Sequence, residues 1–331
     1  MINKVYVGSK NFIKENYKFI LSIILMYLVL SFPLPYYIYN GGGIINIEDR
    51  IVVEDSSKKQ NLNMCYVNQL RGNIATFLMS YIIPGWDLEK INNEEYDFDE
   101  ELYRNKILLE ESINNATINA FKVSNKEYSI TSEKVYVSYI LDGANTTLKV
   151  GDQILKVNDN IIHSMQEYKD IVNNSAIGTK FEIEVLAQDK KEIRSAEVKN
   201  IEGQKLTGIS VTLNYSIKTD PKVAIKFKGN EAGPSGGLIL SLGIYEKIND
   251  ITLYRGKKIC GTGTIDMEGN IGEIGGVKYK LKGAVKNNCD IFLAPSANFK
   301  EVKKEKKNNK YDIEIYEAKT LEETINYLMN K

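Results

Sequence analysis

The chain has 331 residues, enough for two or three domains, and its 43% apolar and 26% charged content is the balance of a folded body. Lysine plus arginine equals aspartate plus glutamate at 43 each, so no global field favours nucleic acid or acidic ligands. Three scattered cysteines (Cys65, Cys260, Cys289), one histidine (His163) and no P-loop argue against a disulfide framework, a metal site or an ATP motor. The cysteines read as structural thiols, and neither metal nor cofactor is expected.

The first predicted element is an apolar run, Phe19–Phe32, continued through Pro33, Pro35, Tyr36, Tyr37 and Tyr39. As one helix, residues 19–39 would be about 30 Å long, roughly one hydrocarbon thickness. Lys4, Lys10, Lys14 and Lys18 precede the run, and no Lys or Arg follows before Arg50. The pattern predicts a single-pass membrane anchor with a cytoplasmic amino terminus and residues 41–331 outside. A cleaved signal peptide and a buried core helix are the alternatives, and no small-x-small cleavage site follows the run.

Residues 41–130 read as an anchor-proximal α+β region. Segment 44–92 alternates apolar and polar stretches, as in 61–68, interrupted by Gly72 and Pro84-Gly85. The acidic stretch Asn92–Glu101 leads into a helix over Leu102–Phe121, with Ile107, Leu108, Glu111, Asn115 and Ile118 at helical spacing. That helix is polar on much of its surface.

Residues 131–203 form the next unit. Lys134–Leu141 is strand-like, Asp142-Gly143 marks a turn, and Lys149–Ile162 gives strand, turn and short strand. Met165, Tyr168, Ile171 and Val172 recur at helical spacing, and Phe181, Ile183 and Val185 alternate with Glu182 and Glu184. With Val150–Asn158 and Gly178-x-x-Phe181-x-Ile183-x-Val185, this unit resembles a bacterial PDZ domain. The resemblance implies capture of an extended peptide as an added strand. Val137 and Tyr139 of the first strand and Met165 and Tyr168 of the helix would line that groove. A unit that only positions its neighbour is the alternative.

Residues 204–331 form the last domain. Strands are predicted at 208–213, 223–227, 260–266, 291–294 and 312–316, helices at 235–249, 277–288 and 320–328, and a solvated loop at 300–310. Gly233-Pro234-Ser235-Gly236-Gly237 opens the first of these helices. A serine at a helix start is either an ordinary N-cap or a nucleophile among backbone N–H donors able to hold an oxyanion, with Gly233 and Gly236 shaping the turn. Gly261-Thr262-Gly263-Thr264-Ile265 and then Ile274-Gly275-Gly276-Val277-Lys278-Tyr279-Lys280-Leu281 follow in order.

Together these motifs look like the proteolytic domain of Lon proteases. With the apolar run and the PDZ-like unit, the chain resembles membrane-bound PDZ–Lon-type peptidases of Gram-positive bacteria. The resemblance implies Ser235 as nucleophile, Lys280 as general base and Thr262 beside the pair. Many relatives carry alanine where Gly236 stands, which raises the question of a looser nucleophile turn. The chemistry is coherent, because a lysine serves as base only when desolvation lowers its pKa. Periodicity leaves Lys278 and Lys280 equally placed beside the apolar face of their helix, and only the resemblance selects Lys280.

The expected architecture is therefore α+β: a transmembrane helix, a small α+β region, a PDZ-like β domain and a Lon-type α/β proteolytic domain. The expected activity is ATP-independent serine endopeptidase action on unfolded or misassembled envelope proteins captured by the PDZ-like unit. The rival is a non-catalytic PDZ scaffold on a degenerate peptidase fold. Partners are polypeptide substrates and the membrane, without nucleic acid, and ring-like homo-oligomers are open by analogy.

Overall fold

The computed structural model describes the chain except residues 1, 84, 92–97, 202 and 230, and except the side chains of residues 2–11, 98 and 99. Pro84 and most of the predicted acidic stretch thus lie outside the described residues. The chain divides into two compact units, one of residues 1–42 and 67–96, the other of residues 43–66 and 97–331.

In the smaller unit the predicted membrane span is overturned. Helix Ile2–Leu30 ends before the prolines, and Pro33–Asn40 is a strand paired antiparallel with both Asn68–Asn73 and Trp86–Lys90. Pro33 and Pro35 cannot continue a helical hydrogen-bond ladder, and the following Tyr36, Tyr37 and Ile38 favour extended backbone. The uncharged helical part, Phe19–Leu30, is only about 18 Å long, and Lys14, Glu15 and Lys18 precede it. Among the described residues no helix is long and apolar enough to cross a membrane. Helix Ile74–Ser80, which alternation does not reveal, starts at Asn73, whose side chain accepts from Thr76 N–H while Thr76 Oγ1 accepts from Asn73 N–H.

The larger unit holds two sheets. The first runs Ile44–Asn46, Leu62–Cys65, Ile259–Gly261, Ile291–Pro295, Glu314–Ala318 in spatial order, parallel except at Ile44–Asn46. Strand alternation sorts its side chains. Leu62, Met64, Ile259, Ile291 and Leu293 face a core completed by helix Gly237–Asn249 and by Ala116, Ala120 and Phe121 of helix Phe98–Val123. Cys65, Cys260, Phe292 and Ala294 face helices Val277–Lys286 and Ser296–Asn309. The last of these covers the run expected as a solvated loop; Phe299 and Val302 give it enough apolar face to dock. The cysteine reading also needs correction. Cys260 and Cys289 are joined by a disulfide, because the sheet brings their Cα atoms within 5.9 Å, and only Cys65 stays a free, buried thiol.

The second sheet has the order Lys190–Glu197, Lys180–Ala187, Gln153–Val157, Tyr128–Ile140, Ile209–Thr219, with Asn160–Ile161 paired to Gln153–Val157. Val135, Val137, Ile154, Phe181, Ile183 and Val185 form its core with Tyr168 and Val172 of helix Met165–Asn174. Helix Phe98–Val123 touches both sheets' domains. Arg104 Nε donates to the Ser138 carbonyl at 2.8 Å, and further along Asn119 Nδ2 donates to the Asp266 carbonyl at 2.7 Å.

Candidate active site

Ser235 lies half-buried in the turn that opens helix Gly237–Asn249. Gly233 begins that turn at φ +98°, a conformation glycine tolerates without steric cost. Its N–H donates to the Asn105 carbonyl at 3.0 Å, so Gly233 shapes the turn and has no N–H left for an oxyanion. Gly236 N–H has no hydrogen bond among the described residues. The Ser235 carbonyl is held twice, by Gly263 N–H at 2.8 Å and by Thr262 Oγ1 at 3.0 Å. These bonds tie the nucleophile turn to the segment that follows strand Ile259–Gly261.

Lys280 comes from helix Val277–Lys286, one turn after Gly276, which caps the helix at φ +67°. It is 5% exposed, on the face shared with Val277 and Leu281. Its Nζ donates to Thr262 Oγ1 at 3.1 Å, so Thr262 stands between Lys280 and the Ser235 main chain. Among the described residues no hydrogen bond joins Lys280 directly to the Ser235 hydroxyl. Lys278 is half-buried with its ammonium 4.7 Å from the Tyr279 ring, and Lys282 is exposed. Burial lowers the Lys280 pKa to about 8, the neighbouring Cys65 sulfur pulling weakly the other way. Burial also pushes Cys65 up to about 12, so it faces the lysine as a neutral thiol at physiological pH.

The Gly236 departure has a spatial explanation. A Cβ at that position would lie 2.1 Å from Met64 Sδ, so the thioether of Met64 occupies the room an alanine methyl would need. Met64 and Cys65, on strand Leu62–Cys65, were not identifiable as site residues from the sequence. The same holds for Ser112, whose Oγ donates to the Pro234 carbonyl at 2.8 Å. The signal for Ser112 was present in the unexplained polarity of its helix: Ser112, Asn115 and Asn119 are buried and bonded to the protease domain.

The residues expected to line a peptide groove are placed differently. Strand Tyr128–Ile140 has no open edge at Val137: Ile209–Thr219 pairs on one side, and Val137 exchanges backbone bonds with Gly151 and Asp152 on the other. Val137 is wholly buried, and Tyr168 is buried with its hydroxyl 2.6 Å from Thr207 Oγ1. Tyr139 is exposed under the Arg104 guanidinium, 5.4 Å from the ring centroid, and Met165 N–H donates to Glu133 Oε1 at 2.7 Å. A strand added between Val135–Ile140 and the helix is therefore excluded; the open edge belongs to Ile209–Thr219. His163 is exposed in this same unit, with its N–H on Glu167 Oε2.

Comparison with known proteins adds an independent line. A model of the Lon protease (S16) C-terminal proteolytic domain matches residues 223–331. Lon protease 2 of Borreliella burgdorferi is 27% identical over 126 residues, 36% of this chain and 15% of that protein. The peroxisomal Lon protease homolog 2 of Kluyveromyces lactis is 35% identical over 102 residues, 30% of this chain and 10% of that protein. The chain thus spans only a small part of the length of these curated relatives. Among solved structures, the PDZ domain of an SdrC-like protein from Listeria monocytogenes is 25% identical, covers 25% of this chain and 92% of that domain, and has a TM-score of 0.23. On the match of their sequence, residues 223–331 of this chain belong to the Lon protease (S16) C-terminal proteolytic-domain family.

Proposed function

We propose that the chain is an ATP-independent serine endopeptidase with Ser235 as nucleophile and Lys280 as general base. The observation that supports this most is the state of Lys280: a buried lysine with a pKa of about 8, one hydroxyl away from the nucleophile turn. At pH 7 about one-tenth of such an amine is neutral, against well under one-thousandth at the reference pKa. Neutral Lys280 takes the proton from Ser235 Oγ as that oxygen bonds to the substrate carbonyl carbon. Gly236 N–H, unpaired at the helix start, offers a hydrogen bond to the resulting oxyanion. Lys280 then gives its proton to the departing amine nitrogen as the C–N bond breaks. A water molecule, deprotonated by the same lysine, releases the acyl group. Thr262 keeps the lysine and the turn in register throughout.

Unfolded or misassembled polypeptides are the substrate class that suits an extended-strand capture unit. The outer edge of Ile209–Thr219 carries no partner strand and takes the role first assigned to Val137 and Tyr139. The test is labelling with a serine-directed fluorophosphonate. Covalent labelling of wild-type protein that disappears in Ser235→Ala is the expected result. A folded wild-type chain that does not label between pH 6 and 10 sinks the proposal and leaves a non-catalytic scaffold.

A further inference from the structure

Beside the nucleophile turn, on the side of helix Phe98–Val123, lies a cavity of about 330 Å³. Glu111, Ser112 and Asn115 form one wall, Pro234 a second, and Thr264 and Asp266 a third. None of its lining residues is Lys, Arg or His. Most of the polar groups are already engaged. Ser112 Oγ donates to the Pro234 carbonyl at 2.8 Å. The Asp266 carboxylate accepts from Glu268 N–H at 3.0 Å, Asn270 N–H at 2.8 Å and Asn270 Nδ2 at 2.8 Å.

Two groups stand apart. Asn115 Nδ2 donates to the Ile265 carbonyl at 3.0 Å, which fixes the orientation of the amide. Its Oδ1 is left without a partner although the residue is only 6% exposed. Buried polar atoms are normally paired, so an orphaned acceptor at a cavity wall points to a donor supplied from outside. Glu111, one turn away, is in no ion pair among the described residues. Burial alone raises its pKa above the ordinary carboxyl value, as expected of a charge with no counter-ion.

We propose that this cavity is a substrate subsite for a lysine or arginine side chain, held by the Glu111 carboxylate and Asn115 Oδ1. The assignment rests on the Ser235–Lys280 reading, since Pro234 places the cavity directly beside the nucleophile. A glutamine side chain would satisfy Asn115 yet leave the Glu111 charge unmatched. A cation satisfies both, and its charge-assisted hydrogen bonds are the stronger kind. An acidic side chain would add a like charge to a wall that has no cation. Apolar side chains would bury both acceptors dry.

The experiment is cleavage profiling with a positional peptide library, followed by kcat/KM for a peptide pair differing only as Lys against Ala at the selected position. Wild-type protein should enrich Lys and Arg at one position next to the scissile bond. Glu111→Gln should lower the Lys-to-Ala selectivity ratio by about tenfold, and Glu111→Lys should turn the preference toward Asp or Glu. Fluorophosphonate labelling of both variants reports that the nucleophile turn is intact. A labelled wild-type enzyme with no basic preference overturns the subsite and leaves the peptidase standing. So does a preference for Gln over Lys, or a selectivity ratio unmoved in a variant that still labels. Wild-type protein that neither labels nor cleaves overturns both.

Discussion

At the residue scale, the proposed chemistry depends on one lysine among three. Lys278, Lys280 and Lys282 lie on one short helix, yet only Lys280 is buried against the apolar face and bonded to Thr262. Lys280→Ala and Lys280→Arg should abolish fluorophosphonate labelling, because neither alanine nor protonated arginine accepts a proton. Lys278→Ala and Lys282→Ala should keep most of it. The pH dependence follows from the lowered pKa. The neutral amine is the competent form, so kcat/KM should rise through about pH 8 and level above it. A profile that is flat from pH 6 to 10 with chemistry rate-limiting would remove Lys280 as base. The motifs made Lys280 a candidate, but its burial comes from strands Leu62–Cys65 and Ile259–Gly261, distant in sequence from its helix.

At the element scale, the nucleophile turn is built by segments on both sides of the family match. Helix Phe98–Val123 supplies Asn105 and Ser112 to the Gly233–Pro234 backbone, and strand Leu62–Cys65 supplies Met64 against Gly236. The Gly236 departure is therefore a matter of space rather than of loosened backbone. Gly236→Ala forces Met64 out of its position, an overpacking cost of roughly 1–3 kcal/mol. We expect Gly236→Ala alone to lower Tm and to slow labelling, and Gly236→Ala with Met64→Ala to recover part of both. The measurement is a double-mutant cycle on stability and labelling rate, and additivity across the pair would refute the coupling.

At the scale of the whole molecule, stability should carry a pH signature from Glu246. This carboxyl is buried on helix Gly237–Asn249, where it accepts from Leu253 N–H at 2.7 Å and from Gln60 Nε2 at 3.1 Å. Desolvation outweighs those bonds and raises its pKa to about 7. The native state then keeps a proton that the unfolded chain, with an ordinary value near 4.5, has already lost. Stability must fall as pH rises from about 4.5 to about 7 and stay level beyond, as far as this group is concerned. Glu246→Gln removes that dependence and brings an amide donor to Gln60 Oε1, which has no partner. The Tm advantage of Glu246→Gln over wild type should therefore grow between pH 5 and pH 8. A difference that is constant over that range would show that Glu246 is not so perturbed.

What the sequence determined by itself was local: the helix and strand periods of residues 131–331, the turn glycines, and the order of the motifs around Ser235, Thr262 and Lys280. Such features are written in nearest-neighbour spacing, and most elements of both sheets appear within a few residues of their predicted places. The apolar run was legible as apolar, but not as a span. Two prolines and a cluster of tyrosines turned its second half into the central strand of a small sheet, a choice settled by pairing with Asn68–Asn73 and Trp86–Lys90. Pairing between distant segments also decided which strand edge is open, which cysteines meet, and which lysine is dry. Each of these depends on a partner tens to hundreds of residues away, and no period within a single segment carries that information.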